Sequence, residues 1–284
     1  MKQDPAFFER EYNARAAIPE HPQIFARWAE QGAITRRLRA VLGDLPYGES
    51  PAERLDYFPT RGDAAPLLVF IHGGYWRSLD KSDFSWLALH YVQHGVAMAL
   101  LNYGLAPQTP IEEMVRQQLR ALAWLYRNGD RLGFDPERIV VAGHSAGAHL
   151  TAMMMAALWP VYAADLPRTL VKAGLAISGI YDLAPLVQAP FVNVDLQLDA
   201  RRARALSPVH LPPATAAPLI TAVGALESSE FRRQTTLIGR AWKDVLLRSV
   251  PMRGANHLTV VDELANPASP LFDAALELVR ASKP

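Results

Sequence analysis

The chain has no cysteine, no excess of either charge and no long apolar run. Without thiols there can be no disulfide framework, thiolate zinc site, iron–sulfur cluster or cysteine nucleophile. Charge is balanced, 29 Lys and Arg against 28 Asp and Glu, so the composition offers no electrostatic footprint for nucleic acid. The longest strictly apolar stretch, Ala152 to Trp159, is far short of the roughly 18 residues a membrane span needs. Met1-Lys2-Gln3-Asp4-Pro5 runs into Phe8-Glu9-Arg10-Glu11 with no apolar signal core, so a cytoplasmic protein free of the membrane is expected. Also missing are H-E-x-x-H, a Walker A loop and a G-x-G-x-x-G opening a helix; neither a metal nor a cofactor is expected.

Half of the 284 residues are hydrophobic, enough for a large core. Short apolar runs alternate with helical patterns. Pro66–Ile71, Val96–Leu101, Arg138–Ala142, Ala173–Ile180, Leu219–Val223 and Val245–Val250 read as strands, several of them buried on both faces. Between them the clearest helix runs from Thr109 to about Asn128, with Thr109 as N-cap, Pro110 at the first position, Glu112 closing a capping box and Gly129 as the stop. Such alternation predicts an α/β fold, a mostly parallel central sheet with helices on both faces. Residues 1–284 read as one domain. Residues 1–50 form a helical amino-terminal segment with Phe25, Trp28 and Ala29 on one face. Residues 181–217 form a proline-rich excursion or small lid.

The chemistry concentrates in three places. Gly143-His144-Ser145-Ala146-Gly147 is a G-x-S-x-G between a predicted strand and a helical run, His149 to Leu158. Its glycines permit a sharp turn that lifts the Ser145 hydroxyl out at the sheet edge, and the helix start aims N–H groups at a developing oxyanion. A serine hydroxyl needs a base, and a base needs an acid to orient it. His257 is the only histidine beyond His210 and lies in the turn Gly254-Ala255-Asn256-His257 after the last strand. Glu227, after Leu219–Val223, is the preferred acid; Asp182, after the preceding strand, is the alternative and could equally cap a helix. His72-Gly73-Gly74-Tyr75-Trp76 follows the strand ending at Ile71, where paired glycines bring backbone N–H groups to a carbonyl oxygen. The expected oxyanion donors are the amides of Gly74, Tyr75 and Ala146. Tyr75 and Trp76 are expected to form an aromatic substrate wall, and His72 to brace the loop.

The HGGYW loop, the GHSAG turn, the terminal Asn-His and the order Ser, Glu, His resemble the α/β-hydrolase superfamily. Within it they resemble the kynurenine formamidase (arylformamidase) type and its bacterial esterase relatives. The likeness extends to Tyr12-Asn13-Ala14-Arg15, to Ile18-Pro19-Glu20-His21, and to Gly224-Ala225-Leu226-Glu227-Ser228-Ser229-Glu230-Phe231, where the family's usual Asp is a Glu. The resemblance implies a cofactor-free serine hydrolase forming an acyl-enzyme on Ser145. Its substrate would be an aryl formamide such as N-formylkynurenine, or a small aryl or short-acyl ester. A general carboxylesterase with no role in tryptophan breakdown is the alternative, and a non-catalytic binding protein on the same fold is a third reading. The expected partner is a small molecule; a homodimer is left open.

Overall fold

The computed structural model describes residues 4–62 and 64–282; Met1–Gln3, the first residues of the opening stretch, lie outside the described residues. Among the described residues eight strands form one sheet: β1 (Leu42–Pro46), β2 (Arg54–Phe58), β3 (Ala65–Ile71), β4 (Ala97–Leu101), β5 (Phe134–His144), β6 (Val171–Ile177), β7 (Leu219–Gly224) and β8 (Leu246–Met252). Their spatial order is β1-β2-β4-β3-β5-β6-β7-β8. The pairs β1–β2 and β2–β4 are antiparallel, and every other pair is parallel.

The continuous apolar runs have the cause expected of them. In β3, Leu67, Val69 and Ile71 point into one core cluster while Leu68 and Phe70 point into another. β5 repeats the pattern, with Ile139 and Val141 on the first face and Val140 and Ala142 on the second. Each such Val, Leu, Ile or Phe side chain contributes about 1.5–3 kcal/mol when fully buried. The first face is covered by the helices Ile111–Leu132, Ala146–Met155 and Ser229–Ala241, through Met114, Leu122, Leu150 and Ile238. The second is covered by the helices His21–Leu38 and Pro270–Ala281, through Trp28, Phe272 and Leu278. Among the described residues no helix is long and apolar enough to cross a membrane.

Several boundaries differ from the sequence reading. The long helix starts at Ile111, with Pro110 at the N-cap, and no side chain caps it; Glu112 and Glu113 instead complement the positive end of the helix. It runs through Gly129 and stops at Gly133, which takes the left-handed conformation (φ +81°) and donates its N–H to the Asp130 and Gly129 carbonyls. Gly129 is needed for closeness rather than termination, since a Cβ there would lie 2.9 Å from Pro136. The helix after Ser145 begins at Ala146 and ends at Met155.

Residues 1–50 are not wholly helical. After the helices Pro5–Tyr12, Ala14–Ala17 and His21–Leu38 the chain enters β1, an exposed edge strand without an apolar run to announce it. The buried stripe of His21–Leu38 is Ile24, Trp28, Gly32 and Thr35; Ala29 is exposed, one position off the face. The excursion 181–217 holds two short α-helices, Pro190–Leu196 and Ala200–Ala205, anchored by buried Val192, Leu196 and Ala203, between the 3-10 turns Ala184–Gln188 and Pro208–His210.

One polar cluster joins the antiparallel ribbon to the rest. Asp56 of β2 is fully buried and accepts from the Asp44 N–H (2.9 Å), Lys81 Nζ (3.0 Å) and Arg36. Removing one partner of a buried ionic group leaves the others uncompensated. Asp56→Asn is therefore expected to cost about 3 kcal/mol, read as a lowered urea midpoint; an unchanged midpoint would contradict the role given to this cluster.

Candidate active site

β5 delivers the chain to Ser145, and the turn there is severe. Ser145 has φ +56°, a region that residues with a Cβ seldom occupy. Two glycines make it passable. A Cβ at Gly147 would overlap the carbonyl oxygen of Ile71 at the end of β3, and one at Gly143 would overlap the Gly147 carbonyl. The helix thus approaches the sheet at backbone distance. Its first amide, Ala146 N–H, has no carbonyl four residues back within the helix.

Three segments far apart in sequence meet here. His257 Nε2 accepts from the Ser145 hydroxyl at 3.0 Å, and His257 Nδ1 donates to Glu227 Oε2 at 2.6 Å. The other Glu227 oxygen accepts from Ser178 Oγ (2.5 Å) and from the Gly224 N–H (2.7 Å). The side chains of the whole chain, Ser145, His257, Glu227 and Ser178, are buried. His144 donates from Nε2 to the His257 carbonyl at 2.8 Å, and Asn256 Oδ1 accepts from the Leu258 and Thr259 amides, so the loop carrying His257 is fixed on both sides. A hydroxyl bound to an imidazole that is oriented by a carboxylate can surrender its proton as it attacks a carbonyl. Asp182 stands apart from this chain: its carboxylate accepts from the Ala184 N–H at 3.1 Å, as a local cap.

Gly74 and Tyr75, both at positive φ (+102° and +53°), line a narrow cleft together with Ser145, His144 and His257. Gly74 has no room for a side chain, because a Cβ would overlap the Ser78 carbonyl. His72 braces the loop from below. Its ring contacts the Gly73 carbonyl at 2.8 Å and Asn102 Oδ1 at 3.2 Å, and it stacks on Tyr103 at 4.5 Å.

Similarity to known proteins agrees with this geometry. A family model described as BD-FAE matches residues 55–162. The kynurenine formamidase of Salmo salar is 30% identical over 274 residues, 92% of this chain and 89% of that one. The chain belongs to the kynurenine formamidase family of α/β-hydrolases. Other relatives of this formamidase-family chain cleave esters by name. The isoprenylcysteine alpha-carbonyl methylesterase ICME of Arabidopsis thaliana is 32% identical over 155 residues, 52% of this chain and 36% of that one. A crystal structure from Silicibacter sp. TM1040, described as a candidate thioesterase, is 30% identical with a TM-score of 0.84, covering 93% of this chain and 97% of that one. The protein is accordingly a hydrolase acting on C–N or ester bonds.

Against this formamidase-family frame, one expected site residue is displaced. Trp76 is fully buried in the core, edge-on to His149 at 5.1 Å, and does not line the cleft. The left-handed turn at Tyr75–Trp76 sends the two aromatic rings to different places, so Tyr75 alone faces the site. The rest of the wall comes from residues to which the sequence reading gave no place in the site. Ala14, Arg15, Phe25 and Trp28 of the amino-terminal segment line the same cleft, with Leu79 and Leu258. Ser178, which holds Glu227, was also missed; its place at the C-terminal end of β6, where sites in such sheets gather, was the available signal.

The elbow and the buried imidazoles yield two predictions. Gly147→Ala forces the helix off the Ile71 carbonyl and should destabilise the fold by about 3 kcal/mol or abolish soluble expression, whereas Gly43→Ala, where a Cβ meets nothing closer than 3.6 Å, serves as a control. Burial holds His149 near a pKa of about 4, against 6.5 for a free imidazole, and lowers His72 and His144 as well. Between those values the unfolded chain binds more protons than the folded one, so stability is full above pH 6.5 and falls as pH drops toward 4. His149 alone accounts for about 3 kcal/mol of that loss. Urea midpoints at pH 7.5 and 4.5 measure it; equal midpoints would contradict the buried neutral assignment.

Proposed function

We propose that the protein hydrolyses an aryl formamide of the N-formylkynurenine kind through an acyl-enzyme on Ser145. The observation that carries this reading is the unbroken hydrogen-bonded chain from the Ser145 hydroxyl through His257 to Glu227. The full-length similarity to a kynurenine formamidase supports the substrate class. In this mechanism Ser145 Oγ attacks the formyl carbon while His257 Nε2 takes its proton. Glu227 holds the imidazole in the reactive tautomer and stabilises the imidazolium. The amides of Gly74, Tyr75 and Ala146 receive the oxyanion. The C–N bond breaks as His257 returns the proton to the leaving aryl amine, leaving a formyl ester on Ser145. His257 then takes a proton from water, which attacks that ester, and returns it to Ser145 Oγ as the C–O bond breaks and formate leaves.

A second reading, hydrolysis of short-acyl or thio esters at the same residues, is favoured by the methylesterase and the candidate thioesterase among the relatives. The two readings differ in leaving group, not in machinery. We expect kcat/KM on N-formylkynurenine to exceed that on p-nitrophenyl acetate; rapid ester turnover with negligible formamide turnover would overturn the first reading. Ser145→Ala should lower kcat by about 10,000-fold or more, and Glu227→Gln by roughly 1,000- to 10,000-fold. A larger loss in Asp182→Asn than in Glu227→Gln would reassign the acid.

A further inference from the structure

We propose that Arg15 determines specificity by binding a carboxylate carried by the substrate; the proposal rests on the reading of Ser145 as nucleophile. Arg15 sits on the short helix Ala14–Ala17 and lines the Ser145 cleft with Gly74, Tyr75 and His257. Its guanidinium lies over the Phe25 ring at 5.2 Å, a cation–π contact. One N–H goes to Ser78 Oγ, and that hydroxyl in turn donates to the Gly74 carbonyl at 2.9 Å. The cation is thereby tethered to the loop whose amides face the reacting carbonyl.

What Arg15 lacks is an acid. A guanidinium has five N–H donors, and among the described residues no carboxylate stands at ion-pair distance from this one. Arg77 makes the contrast: it is matched by Asp195 at 2.6 Å and by the Phe191 carbonyl at 2.7 Å. Partial burial and the like charge of Arg77 both disfavour the charged form of Arg15, yet a guanidinium stays charged. Among the described residues Arg15 therefore lines the cleft as a cation without a carboxylate partner, and a guanidinium can take a carboxylate by two parallel hydrogen bonds. A neutral substrate would leave that charge unmatched.

Two matched substrate pairs test this, each differing only in charge. One is N-formylkynurenine against its carboxamide; the other is 3-(2-acetoxyphenyl)propanoate against the corresponding propanamide. We expect the wild type to favour the carboxylate-bearing member of each pair by roughly 10- to 100-fold in kcat/KM, mainly through KM. Arg15→Gln should bring that ratio near unity, and Arg15→Lys should retain part of it. A ratio near unity in the wild type, or an undiminished ratio in Arg15→Gln, overturns the proposal. Should Arg15→Gln fail to fold, the wild-type ratio must still shrink as salt rises, and a salt-independent ratio overturns the proposal too. The pairs also separate this proposal from the formamide reading. An inert formamide pair with a charge preference in the ester pair supports Arg15 and overturns the formamide reading. A formamide pair turned over without charge preference does the reverse.

Discussion

The contact of Gly147 with the Ile71 carbonyl is the constraint on which the rest of the molecule depends. Because no side chain intervenes, the helix Ala146–Met155 lies against the C-terminal end of β3, and Ser145 is driven into a positive-φ turn. The same approach brings the GHSAG turn beside the HGGYW loop, where Gly73 would place a Cβ 2.9 Å from the His144 carbonyl. The geometry of the cleft floor is therefore a packing result. A strained backbone of this kind persists only where surrounding structure over-determines it, and here two buried core clusters clamp the sheet from both sides.

From that floor, polar bonds extend outward in a buried relay. Ser178 and Gly224 hold Glu227, Glu227 holds His257, and His144 holds the His257 backbone. Each group is satisfied by the next, which keeps a carboxylate and two imidazoles in the interior without an orphaned charge. The amino-terminal segment closes the other side. Tyr12 donates to Glu230 at 2.6 Å, the Tyr75 hydroxyl donates to the Tyr12 carbonyl, and Arg27 and Trp28 both bind Asp262 just beyond His257. A segment that looks peripheral in the chain is thus stitched to the loops bearing Tyr75, Glu227 and His257.

The legible parts of the sequence were those with a local physical signature. Runs such as Leu67–Ile71 and Val140–Ala142 marked strands, because burial on both faces demands apolar residues at every position. The edge strand β1 was invisible for the opposite reason: its pairing is antiparallel and its side chains are mostly exposed, so no pattern selects for it. The Gly129 stop misled because a glycine needed for close packing against Pro136 looks the same in sequence as one needed for a left-handed cap.

By itself the sequence determined the class of fold, the turn that presents Ser145, and the absence of thiol chemistry. These follow from glycine spacing, apolar periodicity and composition, all of which act over a few residues. Only the tertiary structure decided that Trp76 is core and Tyr75 is wall, that Ser178 holds Glu227, and that Arg15 enters the cleft without an acid beside it among the described residues. Those outcomes depend on which segments distant in the chain arrive at the same place. Left-handed residues at 75 and 76 rotate adjacent rings to opposite surroundings, and a charge is uncompensated only with respect to neighbours that folding selects.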